Sequence, residues 1–352
     1  MTTFFFTAGA VTGAVETYRL DRAAASIVPV GSASAGGKVS TLAVSAGRLR
    51  LHAADRARPG IVTFAIDPDD GTLTELGRVP TDCEIVYLLL SRDGRTLYGA
   101  SYRDGTVCAH PVGDDGVAGP AAGPPLSLGA DARCHAVAEA PDGTLWVSAL
   151  GHDLLYRIGL DPAAGGLAEV AAPVRVPAGT GPRHTALDAK RARVLVIGER
   201  TGHVLAYPTG GGAPREWPAI PPEVRLAPGI VRVPGQDNPP RDPASGLPFT
   251  WAADLVLSPH GRLVFTSERA SSTVSVTSAD TGELLGWTRT EQQPRGIAVD
   301  PAGEFLLVTG ELSGTVSLYR VTDDGQLSRT AQAAAPPGQV WAEAAELDQR
   351  AP

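Results

Sequence analysis

No stretch of this chain approaches the ~20 consecutive apolar residues that a membrane-spanning helix needs, and no window sustains a capped 3.6-residue apolar period over three turns. The first lack speaks against a membrane partner, the second against a helical fold. Lys and Arg never gather into runs, zinc-finger spacing is missing, and the net charge is −8, so no nucleic-acid partner is expected. The three cysteines, Cys83, Cys108 and Cys134, are odd in number and form no CxxC pair. They read as reduced, small strand fillers of a cytoplasmic protein. The opening Met-Thr-Thr-Phe-Phe-Phe-Thr lacks the basic region and long apolar core of a secretory signal. No His/Asp/Glu cluster has metal-ligand spacing, and neither a Gly-x-Ser-x-Gly elbow nor a Cys-His pairing supports a covalent nucleophile. No metal or other cofactor is therefore expected. Aromatic residues make up only 5%, so the core must be filled largely by small and β-branched side chains.

What the chain has instead is glycine (41), proline (30) and a recurring unit of polar turn, apolar strand, second turn and second strand. Clear copies are Ser91–Tyr98, Pro141–Val147, Ser258–Phe265 and Asp300–Leu307; Ala46–His52 is weaker and Asp188–Leu195 degenerate. Their turn residues, Gly47, Gly94, Gly143, Ala192, Gly261 and Gly303, are spaced 47, 49, 49, 69 and 42 apart. A period in the forties with about four strands per copy predicts β-propeller blades, because such a unit buries its faces only against its neighbours. Six copies are visible. Orphan strands at Phe4–Ala10 and Gln339–Ala344 supply a seventh blade that closes the ring and removes the open edge. The expected fold is all-β: one seven-bladed propeller domain of four-stranded antiparallel blades over residues 1–352.

The 69-residue interval exceeds its neighbours by roughly twenty residues, a length that usually marks a functional or disordered loop. The excess is a proline-dense insertion at about 218–249, predicted as a lid or rim loop, with Ile230, Val231, Val233, Leu247 and Phe249 as its apolar contacts.

Polar groups recur just before or after the turn copies: Cys134-His135, Gly181-Pro-Arg-His184, Gly198-Glu199, Trp251-Ala-Ala-Asp254, Ser267-Glu-Arg269, Gln293-Pro-Arg-Gly296, Gly310-Glu311 and Gln339-Val-Trp341. Residues in register on a propeller point toward one axis. On these motifs the chain resembles the seven-bladed lactonase family, which includes propeller-type 6-phosphogluconolactonases and carboxy-cis,cis-muconate cyclases. The resemblance is strongest from Cys134 to Trp341. It implies a pocket at the channel mouth, with His135, Arg183, Glu199 and Arg269 as candidate catalytic groups and Arg295 as a further wall residue.

That set suits lactone chemistry. A neutral imidazole activates water or moves a proton. Two guanidiniums hold an anion and offset charge developing on the acyl oxygen, and a carboxylate orients the imidazole or acts as its partner. Candidate substrate-binding residues are His184, Arg295, Tyr87, Trp251, Asp254, Glu311 and Trp341. Of these, His184 reads first as blade packing, Asp254 as an acceptor for turn amides, and both tryptophans equally as interblade packing. The other five histidines, His52, His110, His152, His203 and His260, are expected at the surface.

The chain departs from the phosphogluconolactonase pattern at Tyr87 and Val256, where the family usually has histidine, at Leu150–Leu154, where basic groups are common, and in the long insertion. Fewer basic groups imply weaker retention of a sugar phosphate. Three readings follow: a lactonase acting on a small-molecule substrate; a lactonising cyclase or isomerase with the same pocket; and a non-catalytic propeller that serves as a binding module.

Overall fold

The computed structural model describes residues 1–161, 166–232 and 238–348, apart from the side chain of Asp161. Seven four-stranded antiparallel sheets form the ring. Blade 1 runs from Val39 to Pro80 and blades 2 to 6 follow in chain order. Blade 7 is assembled from both termini: Gln339–Leu347 is its inner strand and Thr2–Gly9 its second, paired from Thr2↔Leu347 to Gly9↔Gln339. The predicted closure is thus observed. Among the described residues no helix is long and apolar enough to cross a membrane.

Seven apolar clusters fill the seven gaps between adjacent blades. Each blade is therefore covered on both faces, and its second strand reads as a nearly continuous buried run, such as Leu145–Ala149 in blade 3. Outermost strands alternate, as in Leu327–Ala334. Val62, Leu51 and Phe64 of blade 1 meet Phe4 and Phe6 of blade 7 in the largest such cluster. Aliphatic residues do most of this packing, which is why few aromatics suffice.

The turns behave as the repeat predicts in four copies, where Gly94, Gly143, Gly261 and Gly303 take positive φ. The two irregular copies share another device. A 3-10 turn spans Ala46–Arg48 in blade 1 and Ala189–Arg191 in blade 4, and the residue after it is left-handed: Leu49 at φ 52° and Ala192 at φ 47°. Gly47 is therefore not the special position in its turn.

Two histidines expected at the surface are in the interior. His52 and His110 lie on the second strand of blade 1 and the third of blade 2, which neighbouring blades cover. His52 Nδ1 meets Thr63 Oγ1 at 3.1 Å, His110 Nδ1–H donates to the Gly119 carbonyl at 3.1 Å, and neither Nε2 has a protein partner. His260 is exposed, and His152 and His203 are half-buried beside Asp131 and Glu216. Burial, with Arg50 nearby, pushes His52 down to about 4. Its folded pKa thus lies below the unfolded ~6.5, so the unfolded chain takes up the proton first. The stability His52 contributes is complete above pH 6.5 and declines as pH falls toward 4. His52→Asn, which cannot charge, is expected to lose about 2 kcal/mol less stability than wild type between pH 7 and pH 5. Urea midpoints at the two pH values measure this; equal losses would contradict it.

Candidate active site

The inner strands of the seven blades surround the channel. Each begins with a break in register against its second strand: at residues 40–41, 86, 135, 183–184, 253–254, 295–296 and 340. A bulge frees a residue from the pleat and re-aims its side chain. His135, Arg183, His184 and Arg295 are all bulge residues, and all line one cavity of about 350 Å³ at the channel mouth. A second set arrives from the residue just after each second strand. Arg56, Tyr102, Glu199 and Arg269 occupy this place in blades 1, 2, 4 and 5. The glycine of Gln293-Pro-Arg-Gly296 has a packing reason: a Cβ there would lie 2.5 Å from Trp341 Cα, so only glycine lets these inner strands approach.

The charged centre is a three-residue brace. Glu199 Oε2 accepts from Arg183 Nε at 3.1 Å and from Arg269 Nη2 at 2.7 Å. Arg183 also donates to the Ala253 carbonyl, and Arg269 to the Trp251 and Ala252 carbonyls at 3.0 and 2.9 Å. All three side chains are buried. Burial opposes ionisation of Glu199, yet the Arg269 and Arg183 guanidiniums outweigh it and hold its carboxyl below the usual range. Burial pushes Arg183 down to about 9 and Arg269 to about 10, with Glu199 countering; both stay charged at neutral pH. Around this brace, Arg295 pairs with Glu311 at 3.1 Å and Arg56 with Glu84.

His135 and His184 stand with ring centroids 5.2 Å apart. Burial, reinforced by Arg183, holds His135 well below its ordinary value, and its Nδ1 has no protein partner. His184 Nδ1 faces Asp254 Oδ1 at 2.7 Å. Burial and Arg183 push His184 down to about 4 against the pull of Asp254. Asp254, despite burial, is held low by His184 and by the Ile297 amide, which donates to its other oxygen at 2.9 Å. The pair is thus a carboxylate and a neutral imidazole that donates from Nδ1. Beneath the cavity, His184 packs on Tyr87 and Trp341 at 5.3 and 5.2 Å. Trp341 Nε1 donates to Glu343 Oε1 at 3.0 Å. This aromatic layer separates the cavity from the channel's other mouth.

The structure brings His135, Arg183, Glu199, Arg269, His184, Arg295, Trp251 and Trp341 to one cavity. Tyr87, Asp254 and Glu311 stand behind it. Tyr87 and Val256 line the opposite mouth of the channel, so their departure from histidine leaves this cavity's polarity unchanged. Arg56 and Arg232, not singled out from the sequence, add two guanidiniums to the lining. Ser40, Val86, Tyr102, Asn238 and Val340 were missed as well. Arg56 and Tyr102 carried a usable signal, since they follow their second strands just as Glu199 and Arg269 do.

Two residues of the insertion, Arg232 and Asn238, line the cavity. The root of the insertion is fixed by the Gly229 amide donating to the Arg200 carbonyl at 2.7 Å and by pairing of Ala227 with Phe249. Phe249 is buried, Ile230 and Leu247 are half-buried, Val231 is exposed, and Val233 lies outside the described residues. The Arg232 carbonyl lies 3.5 Å from both Tyr102 Oη and Arg133 Nη1. Among the described residues no group of three or more His, Cys, Asp or Glu is arranged to hold a metal ion.

Fold and site together define a seven-bladed propeller with a cationic, imidazole-bearing cavity at one channel mouth. The chain belongs to the lactonase, 7-bladed beta-propeller family, whose model matches residues 5–344. It is 29% identical over 321 residues to a 6-phosphogluconolactonase of Sodalis glossinidius, covering 87% of this chain and 88% of that protein. The periplasmic gluconolactonase of Pseudomonas aeruginosa superposes with a TM-score of 0.78 at 22% identity, over 98% of this chain and 100% of the other. Virginiamycin B lyase of Staphylococcus aureus shares the fold more distantly, at TM-score 0.58 and 15% identity over 83% of each chain.

Proposed function

We propose that this protein is a lactonase that opens a sugar δ-lactone, in the manner of a 6-phosphogluconolactonase. The observation that carries this reading is the convergence of two neutral imidazoles and two Glu199-braced guanidiniums on one solvent-connected cavity. A strongly cationic cavity open to water suits hydrolysis better than cyclisation, which gains from excluding water.

The chemistry balances without further groups. His135 takes a proton from water as its oxygen bonds to the ring carbonyl carbon. Charge that develops on the carbonyl oxygen is offset by Arg183 and Arg269, held in place beforehand by Glu199 and the carbonyls of residues 251–253. The carbon–ring-oxygen bond then breaks, and the imidazolium returns the proton to the leaving alkoxide. His184, with Nδ1–H committed to Asp254, offers Nε2 as an acceptor for a substrate hydroxyl. Glu199 is too weak a base for the proton transfer, because both guanidiniums stabilise its ionised form. Three unpaired buried thiols, two with Sγ atoms 3.7 Å apart, suit a reducing, cytoplasmic setting.

The test is ring opening of glucono-1,5-lactone and its 6-phosphate ester, followed by proton release in a pH-stat at micromolar protein. Acceleration of at least one is expected. Rates equal to the protein-free control for both would overturn the reading.

A further inference from the structure

We propose that Arg232, delivered by the proline-rich insertion, is a specificity-determining residue that grips an anionic group carried by the substrate away from the scissile ester. The proposal rests on the lactonase reading for its kinetics and on ligand binding alone for its independent test.

The first support is geometric. The Arg232 guanidinium carbon lies 4.1 Å from the Trp251 ring centroid, and that of Arg269 lies 3.9 Å from the same centroid. Two guanidiniums this close to one centroid cannot share a face, so the indole is sandwiched between them. Arg269 belongs to the catalytic brace. Arg232 is therefore one indole thickness away, on the mouth side, at the distance of a substituent rather than of the reacting carbonyl. Stacking uses the face of the guanidinium and leaves its in-plane N–H donors for a ligand. Strong cation–π stacking also limits the rotamers of an otherwise floppy side chain.

The second support is charge. Five guanidiniums line the cavity: Arg56, Arg183, Arg232, Arg269 and Arg295. Four of them have carboxylate partners, Arg56 with Glu84, Arg183 and Arg269 with Glu199, and Arg295 with Glu311. Among the described residues no carboxylate lies within salt-bridge reach of Arg232. Among the described residues these five guanidiniums face four carboxylates, Glu84, Glu199, Glu311 and, behind the wall, Asp254, and the remaining positive charge is complemented by a ligand of negative charge.

The third support is anchoring. The Arg232 carbonyl sits 3.5 Å from Tyr102 Oη and Arg133 Nη1, and Arg133 in turn lies over the Tyr102 ring at 5.9 Å. The insertion is therefore held at both its root and this contact, and Arg232 is positioned by the fold. A phosphate and a carboxylate share the chemistry that such a guanidinium recognises.

The experiment compares wild type with Arg232→Gln on three lactones: neutral glucono-1,5-lactone, its 6-phosphate, and glucaro-1,5-lactone, whose C6 is itself a carboxylate. Loss of one charge-assisted contact is expected to raise KM for an anionic lactone about tenfold or more, with kcat within about twofold and the neutral lactone unaffected. Which anionic lactone responds identifies the group as phosphate or carboxylate. An unchanged anionic-to-neutral ratio of kcat/KM in Arg232→Gln would overturn the proposal. Calorimetric titration with gluconate, gluconate 6-phosphate and glucarate separates it from the catalytic reading. If wild type opens no lactone but binds an anionic sugar acid about tenfold more tightly than gluconate, and Arg232→Gln loses that preference, the grip stands and the lactonase reading falls. If wild type prefers neither anion, the grip falls. Retained thermal stability of Arg232→Gln excludes unfolding as the cause.

Discussion

Replacing His135 with alanine is expected to lower kcat for lactone opening by about 10²–10⁴-fold while KM changes by less than about threefold. His135 Nδ1 has no protein partner, whereas His184 Nδ1 is held by Asp254, and burial beside Arg183 keeps His135 neutral. It is therefore ready to accept a proton at any pH above its depressed pKa. The sign for catalysis follows. A base must be deprotonated, so kcat/KM is flat through neutrality and its acid limb lies below the ordinary histidine value of ~6.5. His135→Gln, which fills the site without titrating, should lose the limb along with the rate. His184 supplies the contrast. Asp254 fixes its tautomer, so Asp254→Asn should misorient it, with a milder loss of about tenfold. If His135→Ala keeps its rate and His184→Ala collapses, the proton transfer belongs to the Asp254-oriented imidazole instead.

The architecture was readable because a propeller repeats one local solution. The turn spacing, the four strands per copy and the two terminal strands each carry the same information independently. Even the degenerate copy at Ala192 kept its strand pattern, and only its turn differed, with a left-handed alanine after a 3-10 turn. Positions of individual side chains were harder to read. His52 and His110 resemble surface residues until neighbouring blades are laid on both sides of their strands. Tyr87 immediately follows Val86 on one inner strand, yet the two line opposite ends of the channel. The decisive event is the bulge that starts each inner strand, because a one-residue shift sends a side chain to the other face. Nothing in His135 or in Arg183-His184 announces a bulge. Arg232 was hidden for another reason: it lies about fifty residues along the chain from Arg183, in a segment that meets the cavity at Trp251, Tyr102 and Arg133.

Glu199→Ala is expected to destabilise the fold by about 3–5 kcal/mol, the usual cost of stranding a buried charge, and to reduce activity at the same time. One carboxylate oxygen serves both Arg183 and Arg269, whose side chains are only 2% and 3% exposed. Without it, two like charges face each other in a low-dielectric site. The damage spreads because both guanidiniums also donate to carbonyls of residues 251–253: Arg183 ties the start of the blade 5 inner strand to blade 4, and Arg269 holds it within blade 5. Glu199→Gln keeps the shape and an acceptor oxygen, so its loss should be smaller while the guanidiniums lose their counter-charge. The pH dependence separates charge from shape. The folded pKa of Glu199 lies below its ordinary value, so its stabilisation is present above ~4.5 and disappears as pH falls through the depressed value. Glu199→Gln should remove that part of the acid loss. A further variant decides between brace and mere packing: Glu199→Ala combined with Arg183→Met leaves only one stranded guanidinium, and should be destabilised by less than the sum of its single changes. Urea unfolding of the four proteins measures the coupling, and strict additivity would show that Arg183 and Glu199 do not act on one another in the folded state.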